Sequence, residues 1–274
     1  MPQTYTIILL HGRGSTGEEF AEDLFECEVT TNPAQPEAQP EAQPEEESCM
    51  SLKERFPCCR WIFPTAKPRY STVFQEEMTE WFDIYSLTDP EQRGDLQKLG
   101  LIESLQLLTD LIRDGKEKID ASKLIIGGIS QGFATAAIFM MAMDLKCAGF
   151  VGLSGWIPFA SQIRKTITDG DMQRNNQERS QYATAAVKRA LGQDNQDIST
   201  PSFPANWTET PIFLGHEQHD SVVAVELGES ARELFRVCGA SSTWHTYDSG
   251  DHWIQEPDEI NDLVQFLDDC IKDN

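Results

Sequence analysis

The chain is predicted to fold as an α/β unit spanning residues 1–274, with a mainly parallel central sheet and helices on both faces. Short apolar runs alternate with longer helical stretches, the spacing expected when parallel strands are joined by crossover helices. Two of those runs end in glycine-rich turns that lead directly into a helix, at Leu10 to Gly17 and at Gly128 to Gly132. A length of 274 residues is enough to bury a sizeable core.

Taken in order, the strand candidates are Tyr5 to Leu10, Arg60 to Phe63, Lys123 to Ile126, Gly149 to Leu153, Ile212 to Gly215 and Thr243 to Tyr247. Most are continuous apolar runs of the length of a strand covered on both faces. In the last, Thr243, His245 and Tyr247 alternate with Trp244 and Thr246. Helical stretches lie between the strands at Glu18 to Glu26, Ile102 to Glu117, Gln131 to Asp144, Val222 to Val237 and Pro257 to Asp273. Two segments interrupt this order. Residues 28–50 hold the proline-punctuated acidic repeat Pro33 to Glu47, which lacks large apolar side chains and is expected to be a disordered surface loop. Residues 165–210 contain a polar helical run, Gln177 to Leu191, then a Ser/Pro-rich stretch. That segment reads either as a lid over the site or as surface elaboration.

Gly128-Ile129-Ser130-Gln131-Gly132 places a serine at the apex of a strand-to-helix turn. A serine hydroxyl is a poor nucleophile at neutral pH, so acyl transfer needs it exposed on a tight turn with a base beside it; glycines relieve the crowding of that turn. Glycine-rich turns also serve other α/β proteins, so chain order must add weight. An α/β-hydrolase requires serine, then acid, then histidine, on loops after successive strands. His252 follows the turn-rich run Asp248 to Asp251 and precedes the last helix, where a base belongs. Asp220 lies on the loop after Ile212 to Gly215 and is the candidate acid, with Asp251 as its rival. His245 reads as a strand residue. His216, His219 and Asp220 could be metal ligands by type, but no helical HExxH spacing or further ligand completes a site. No cofactor or metal is expected.

The tetrahedral oxyanion needs two backbone N–H donors, one after the nucleophile and one from an early loop. Gln131 supplies the first, and Arg13, in the loop His11 to Gly17, the second. That loop lacks the Lys-Ser/Thr ending of a P-loop, which makes phosphate binding the lesser reading.

Six spaced motifs then carry a resemblance: Leu10-His11-Gly12-x-Gly14-x-Thr16-Gly17, Trp81-Phe82-Asp83, Gly128-x-Ser130-Gln131-Gly132, Leu153-Ser154-Gly155-Trp156-x-Pro158, Asp220-x-Val222-Val223 and His252. Together they resemble the acyl-protein thioesterase, lysophospholipase and carboxylesterase family of small serine hydrolases. The resemblance implies a cytoplasmic esterase or thioesterase with Ser130, Asp220 and His252 as triad and the N–H groups of Arg13 and Gln131 as oxyanion hole. It also implies an acylated protein, a lysophospholipid or a small ester as substrate, and it brings Trp81 and Trp156 near the site as candidate pocket residues. The chain departs from the pattern at Phe133, where a second glycine is usual and where the ring would crowd the turn or line the acyl pocket. It departs again at Glu217, at Asp251 beside the base and at Arg13, where a small apolar residue is common. A short-chain carboxylesterase and a catalytically silent hydrolase-fold binding protein are the alternatives; an intact serine, acid and base count against the latter.

A formal net charge of −23 argues against nucleic acid and against docking on anionic membrane leaflets. No run reaches spanning length, so no stable membrane insertion is expected. Seven cysteines without metal spacing read as reduced thiols. Asn206-Trp207-Thr208 matches a glycosylation acceptor, but no secretory signal is legible. Whether the chain pairs as a homodimer is left open.

Overall fold

The computed structural model describes residues 5–30, 49–86, 88–114, 119–169, 176–193, 204–248 and 251–272. Its centre is a six-stranded sheet built from β1 (Tyr5–Leu10), β4 (Cys59–Ile62), β7 (Leu124–Ile129), β8 (Gly149–Leu153), β9 (Ile212–Glu217) and β10 (Ser242–Tyr247), in the order β10-β9-β8-β7-β1-β4. Every neighbouring pair is parallel. All six strand candidates are present. Two short antiparallel pairs stand apart, β2 (Val29–Thr30) with β3 (Cys49–Met50) and the hairpin β5 (Pro68–Ser71) with β6 (Glu76–Thr79).

Among the described residues eight helices surround the strands: α1 (Gly17–Glu26), α2 (Leu52–Arg55), α3 (Gln97–Asp114), α4 (Gln131–Ala142), α5 (Ala160–Thr168), α6 (Asn176–Ala190), α7 (Val225–Cys238) and α8 (Asp258–Lys272). The alternation of side chains along a strand sorts them into two layers. In β1, Ile8 and Leu10 join one core with α3 to α7, while Tyr5, Ile7 and Leu9 join a second core with α1, α2 and α8. Helix α4 is buried around its whole circumference, as an apolar helix without a polar face must be. Each large side chain that it hides contributes about 1.5–3 kcal/mol.

The sheet order positions the site. From β1 the chain adds β4 on one side, and β7 then returns to the other side of β1. Where connections leave adjacent parallel strands in opposite directions, a crevice opens at their carboxyl ends. Loop 11–16 and Ser130 lie at those two ends.

The acidic repeat Pro33 to Glu47 and the Ser/Pro-rich stretch at 194–203 lie outside the described residues. The helical part of the second insert does not drape over the serine. Helix α6 packs on α4 and α5, with Thr184 Oγ1 donating to Met141 O near the end of α4 remote from Ser130. Asp144 fastens this corner. Its Oδ1 accepts from the Ser180 hydroxyl and from the N–H groups of Asn206 and Trp207, at 3.1 and 3.2 Å. Asp144→Ala would strand two backbone donors and is expected to cost about 2–4 kcal/mol in denaturant unfolding; a loss below half a kcal/mol would show that water serves them equally well. Asn206 is itself buried, with its amide donated to Glu209, which removes it as a glycosylation acceptor.

Candidate active site

Ser130 sits between β7 and α4 with φ 55° and ψ −122°, a backbone conformation costly for any side chain other than glycine. The surroundings hold it there. Ser130 N–H donates to Leu153 O at 2.9 Å, and Gly128 and Gly132 press against the end of β1 with no room for a Cβ. The loop after β1 lies close by: a Cβ built on Gly12 would be 3.6 Å from Ser130 Cβ.

Asp220 follows β9 in a tight turn whose N–H groups, from Val222 and Val223, both donate to its Oδ1 at 2.8 Å. Its other oxygen accepts from His252 Nδ1 at 2.7 Å, a bond between residues 32 apart in sequence. Burial alone would raise the Asp220 pKa; the hydrogen bonds from His252, Val223 and Val222 outweigh it and hold the carboxyl below its usual range. With Nδ1–H committed to the carboxylate, Nε2 of the neutral imidazole is the basic nitrogen. The rival Asp251 turns away, and its Oδ1 accepts from Ser221 Oγ at 2.7 Å. Among the described residues Ser130 Oγ makes no hydrogen bond, so the structure joins acid to base and leaves serine and base unjoined.

The N–H groups of Arg13 and Gln131 have no hydrogen-bond partner among the described residues. Their loop and helix end are braced from behind. The Gln131 side chain accepts from Trp81 N–H at 2.8 Å and donates to Phe82 O at 2.7 Å, while Trp81 Nε1 donates to His11 O at 2.9 Å. His11, fully buried, donates through Nδ1 to Gly12 O at 2.6 Å and accepts at Nε2 from Ala66 N–H at 3.0 Å. Burial lowers its pKa, so it is a neutral brace. His11 had no role in the sequence reading. Its only signal was position, a histidine closing an apolar run and therefore needing interior partners.

Two expectations change. Trp81 is entirely enclosed and supports the Arg13 loop instead of lining a pocket. Phe133 does not crowd the turn: its ring is buried, fills space left by Gly152 and Gly155 and meets Phe150 edge-on at 5.8 Å. The Arg13 guanidinium lies 4.5 Å above the Phe74 ring, near Glu80 and Asp83. Trp156 borders a cavity of about 180 Å³ with Pro90, Ile157 and Leu227, and none of Ser130, Asp220 and His252 lines it. His216 belongs to β9 and is buried, donating through Nε2 to Val223 O at 2.8 Å. Among the described residues no group of three or more His, Cys, Asp and Glu could hold a metal ion, and no helix is long and apolar enough to cross a membrane.

The Phospholipase/Carboxylesterase family model matches residues 46–172, a span containing Ser130 and ending before Asp220 and His252. The chain is similar to acyl-protein thioesterase 1 of Debaryomyces hansenii, 28% identical over 229 residues that cover 82% of this chain and 79% of that protein. It is also similar to acyl-protein thioesterase 1 of Yarrowia lipolytica, 27% identical with 98% and 93% covered. Among solved structures, Zea mays acyl-protein thioesterase 2 matches with a TM-score of 0.64 at 21% identity, over 99% of this chain and 95% of that one. Arabidopsis thaliana SOBER1 matches with a TM-score of 0.62 at 19% identity, over 98% and 99%. At those identities the two structures speak for the fold alone.

Proposed function

We propose that the chain is a thioesterase or esterase of the α/β-hydrolase family and that it releases acyl groups from protein thiols through Ser130, His252 and Asp220, a reading supported by its similarity to acyl-protein thioesterases over most of its length. The observation that carries this reading is the 2.7 Å bond from His252 to a carboxylate already held by two backbone N–H groups, on loops at the same sheet edge as the strained serine. On this reading His252 Nε2 takes the Ser130 proton as Oγ attacks the thioester carbonyl. The oxyanion is received by the N–H groups of Arg13 and Gln131. Collapse of the intermediate expels the thiol, which leaves with the proton from His252, and water then attacks the acyl-enzyme by the same route. The Ser130–His252 hydrogen bond forms with substrate, as such bonds often tighten only in the complex.

Asp220→Asn is expected to lower kcat by roughly 10³- to 10⁴-fold, because the amide favours the wrong imidazole tautomer. It should also change acid stability. A depressed carboxylate pKa contributes stability above the pKa of the unfolded group and loses it as pH falls through the folded value. The variant should thus lose stability at neutral pH and titrate less below it; equal acid unfolding curves would contradict the sign.

The test of function is a series of thioesters and oxygen esters from acetyl to palmitoyl, with an acylated cysteine peptide and a lysophospholipid included. Preference for long thioesters and the peptide supports the proposal. A preference for short oxygen esters replaces it with a carboxylesterase, and a preference for the lysophospholipid replaces it with a lysophospholipase.

A further inference from the structure

One buried carboxyl has no part in this chemistry. Glu259 lies in the first turn of α8, fully buried, seven residues after His252. Its Oε2 accepts from Gln255 N–H at 2.9 Å, and its own N–H returns to Gln255 O at 3.1 Å and to Gln255 Oε1 at 3.4 Å. This reciprocal pairing fastens the end of the loop that carries His252. The other oxygen, Oε1, has no hydrogen-bond partner and presses on β9, where a Cβ on Gly215 would stand 2.1 Å from it. Gly215 is five residues before Asp220, so one carboxyl touches both the strand leading to the acid and the loop holding the base.

The titratable groups around it are almost all acidic. Glu217 on β9 is buried, Asp258 and Asp262 share α8, and on β10 both His245 Nδ1 and Tyr247 OH engage Asp262, at 3.2 and 2.9 Å. An anion in this setting lacks both water and a countercharge. Burial first, then repulsion from Glu217 and Asp262, pushes the Glu259 pKa up to about 8, against the pull of the Gln255 N–H.

We propose that Glu259 is a positioning residue that, in its neutral form, clamps Gln255 and β9 together and so holds His252 against Asp220, and that ionisation, which sets its charge against Glu217 and Asp262, drives it off β9 and loosens that hold. The inference rests on the reading of His252 as base. The experiment uses the full chain and two readouts: the pH profile of kcat and KM on a soluble thioester, and the low-field His252 Nδ1 proton resonance, assigned by its loss in His252→Ala. Glu259→Ala should lower kcat roughly 10- to 100-fold with KM little changed, and should broaden the resonance. Glu259→Gln keeps an acceptor for Gln255 N–H and carries no charge. It should retain kcat at neutral pH and stay active past pH 8, where the unmutated chain should decline as Glu259 ionises. A Glu259→Gln loss as large as that of Glu259→Ala, an alkaline decline that persists in Glu259→Gln, or an unmoved resonance in Glu259→Ala each overturns the proposal. If Glu259→Ala does not fold, the Glu259→Gln profile decides. Turnover surviving in Ser130→Ala would instead defeat the reading of the site, while the resonance, which needs no turnover, still reports on the clamp.

Discussion

Ser130→Ala is expected to reduce hydrolysis of every acyl substrate by about 10⁴-fold or more while leaving the fold nearly untouched. The two halves of that expectation have separate physical grounds. On the proposed reading the rate falls because the attacking oxygen is removed, which leaves what the N–H groups of Arg13 and Gln131 can do for attack by water. Stability is spared because Ser130 Oγ has no hydrogen-bond partner among the described residues and so leaves none unsatisfied. Alanine also meets the same backbone strain as serine at φ 55°. His252→Ala should cost a similar factor, and the double variant should be no slower than either single one, since a nucleophile without its base already lacks the concerted step. Initial rates, together with labelling by a serine-reactive fluorophosphonate, provide the check. Undiminished turnover in Ser130→Ala, with the label still attached, would move the nucleophile elsewhere.

The backbone plan was readable in the sequence because the inner strands of this sheet are buried on both faces. Ile7 to Leu10 and Leu124 to Ile126 must satisfy two cores at once and therefore read as unbroken apolar runs. The hairpin of β5 and β6 escaped detection for the opposite reason: Glu76 and Glu77 are exposed, and its pairing rests on ladder hydrogen bonds with no apolar alternation. Helix α3 begins at Gln97, five residues earlier than expected. Gly100 looks like a break but is required inside the helix, because a Cβ there would stand 2.6 Å from Phe82 Cα. Chain order put Asp220 and His252 on loops at one sheet edge, and the structure joins them. The directions of Trp81 and Phe133 were not legible. Aromatic type announces burial, yet which cavity a ring fills depends on glycines such as Gly152 and Gly155 that lie far away in sequence.

The second large effect is expected from a single methyl group. In Gly132→Ala the new Cβ would lie 2.1 Å from Leu10 O, 2.5 Å from Leu10 C and 2.7 Å from His11 O, all backbone atoms that cannot rotate aside. Helix α4 and the end of β1 must then separate, at a cost of about 3 kcal/mol by the standard of overpacked cores. What moves is the junction bearing the Arg13 N–H, with Gly12 in contact with Ser130. A displaced donor no longer meets the developing oxyanion, so kcat should fall roughly 10²-fold even in the fraction that remains folded. Gly14→Ala separates this steric mechanism from a general intolerance of alanine in the loop. Position 14 has φ 81° with nothing within 4 Å of its would-be Cβ, so only the backbone conformation is penalised, at about 1–2 kcal/mol. Denaturant midpoints and kcat for the two variants should therefore diverge, with Gly132→Ala losing both and Gly14→Ala mainly stability. Equal kcat in the two would mean that β1 yields without disturbing Arg13, and the oxyanion role of that loop would have to be given up.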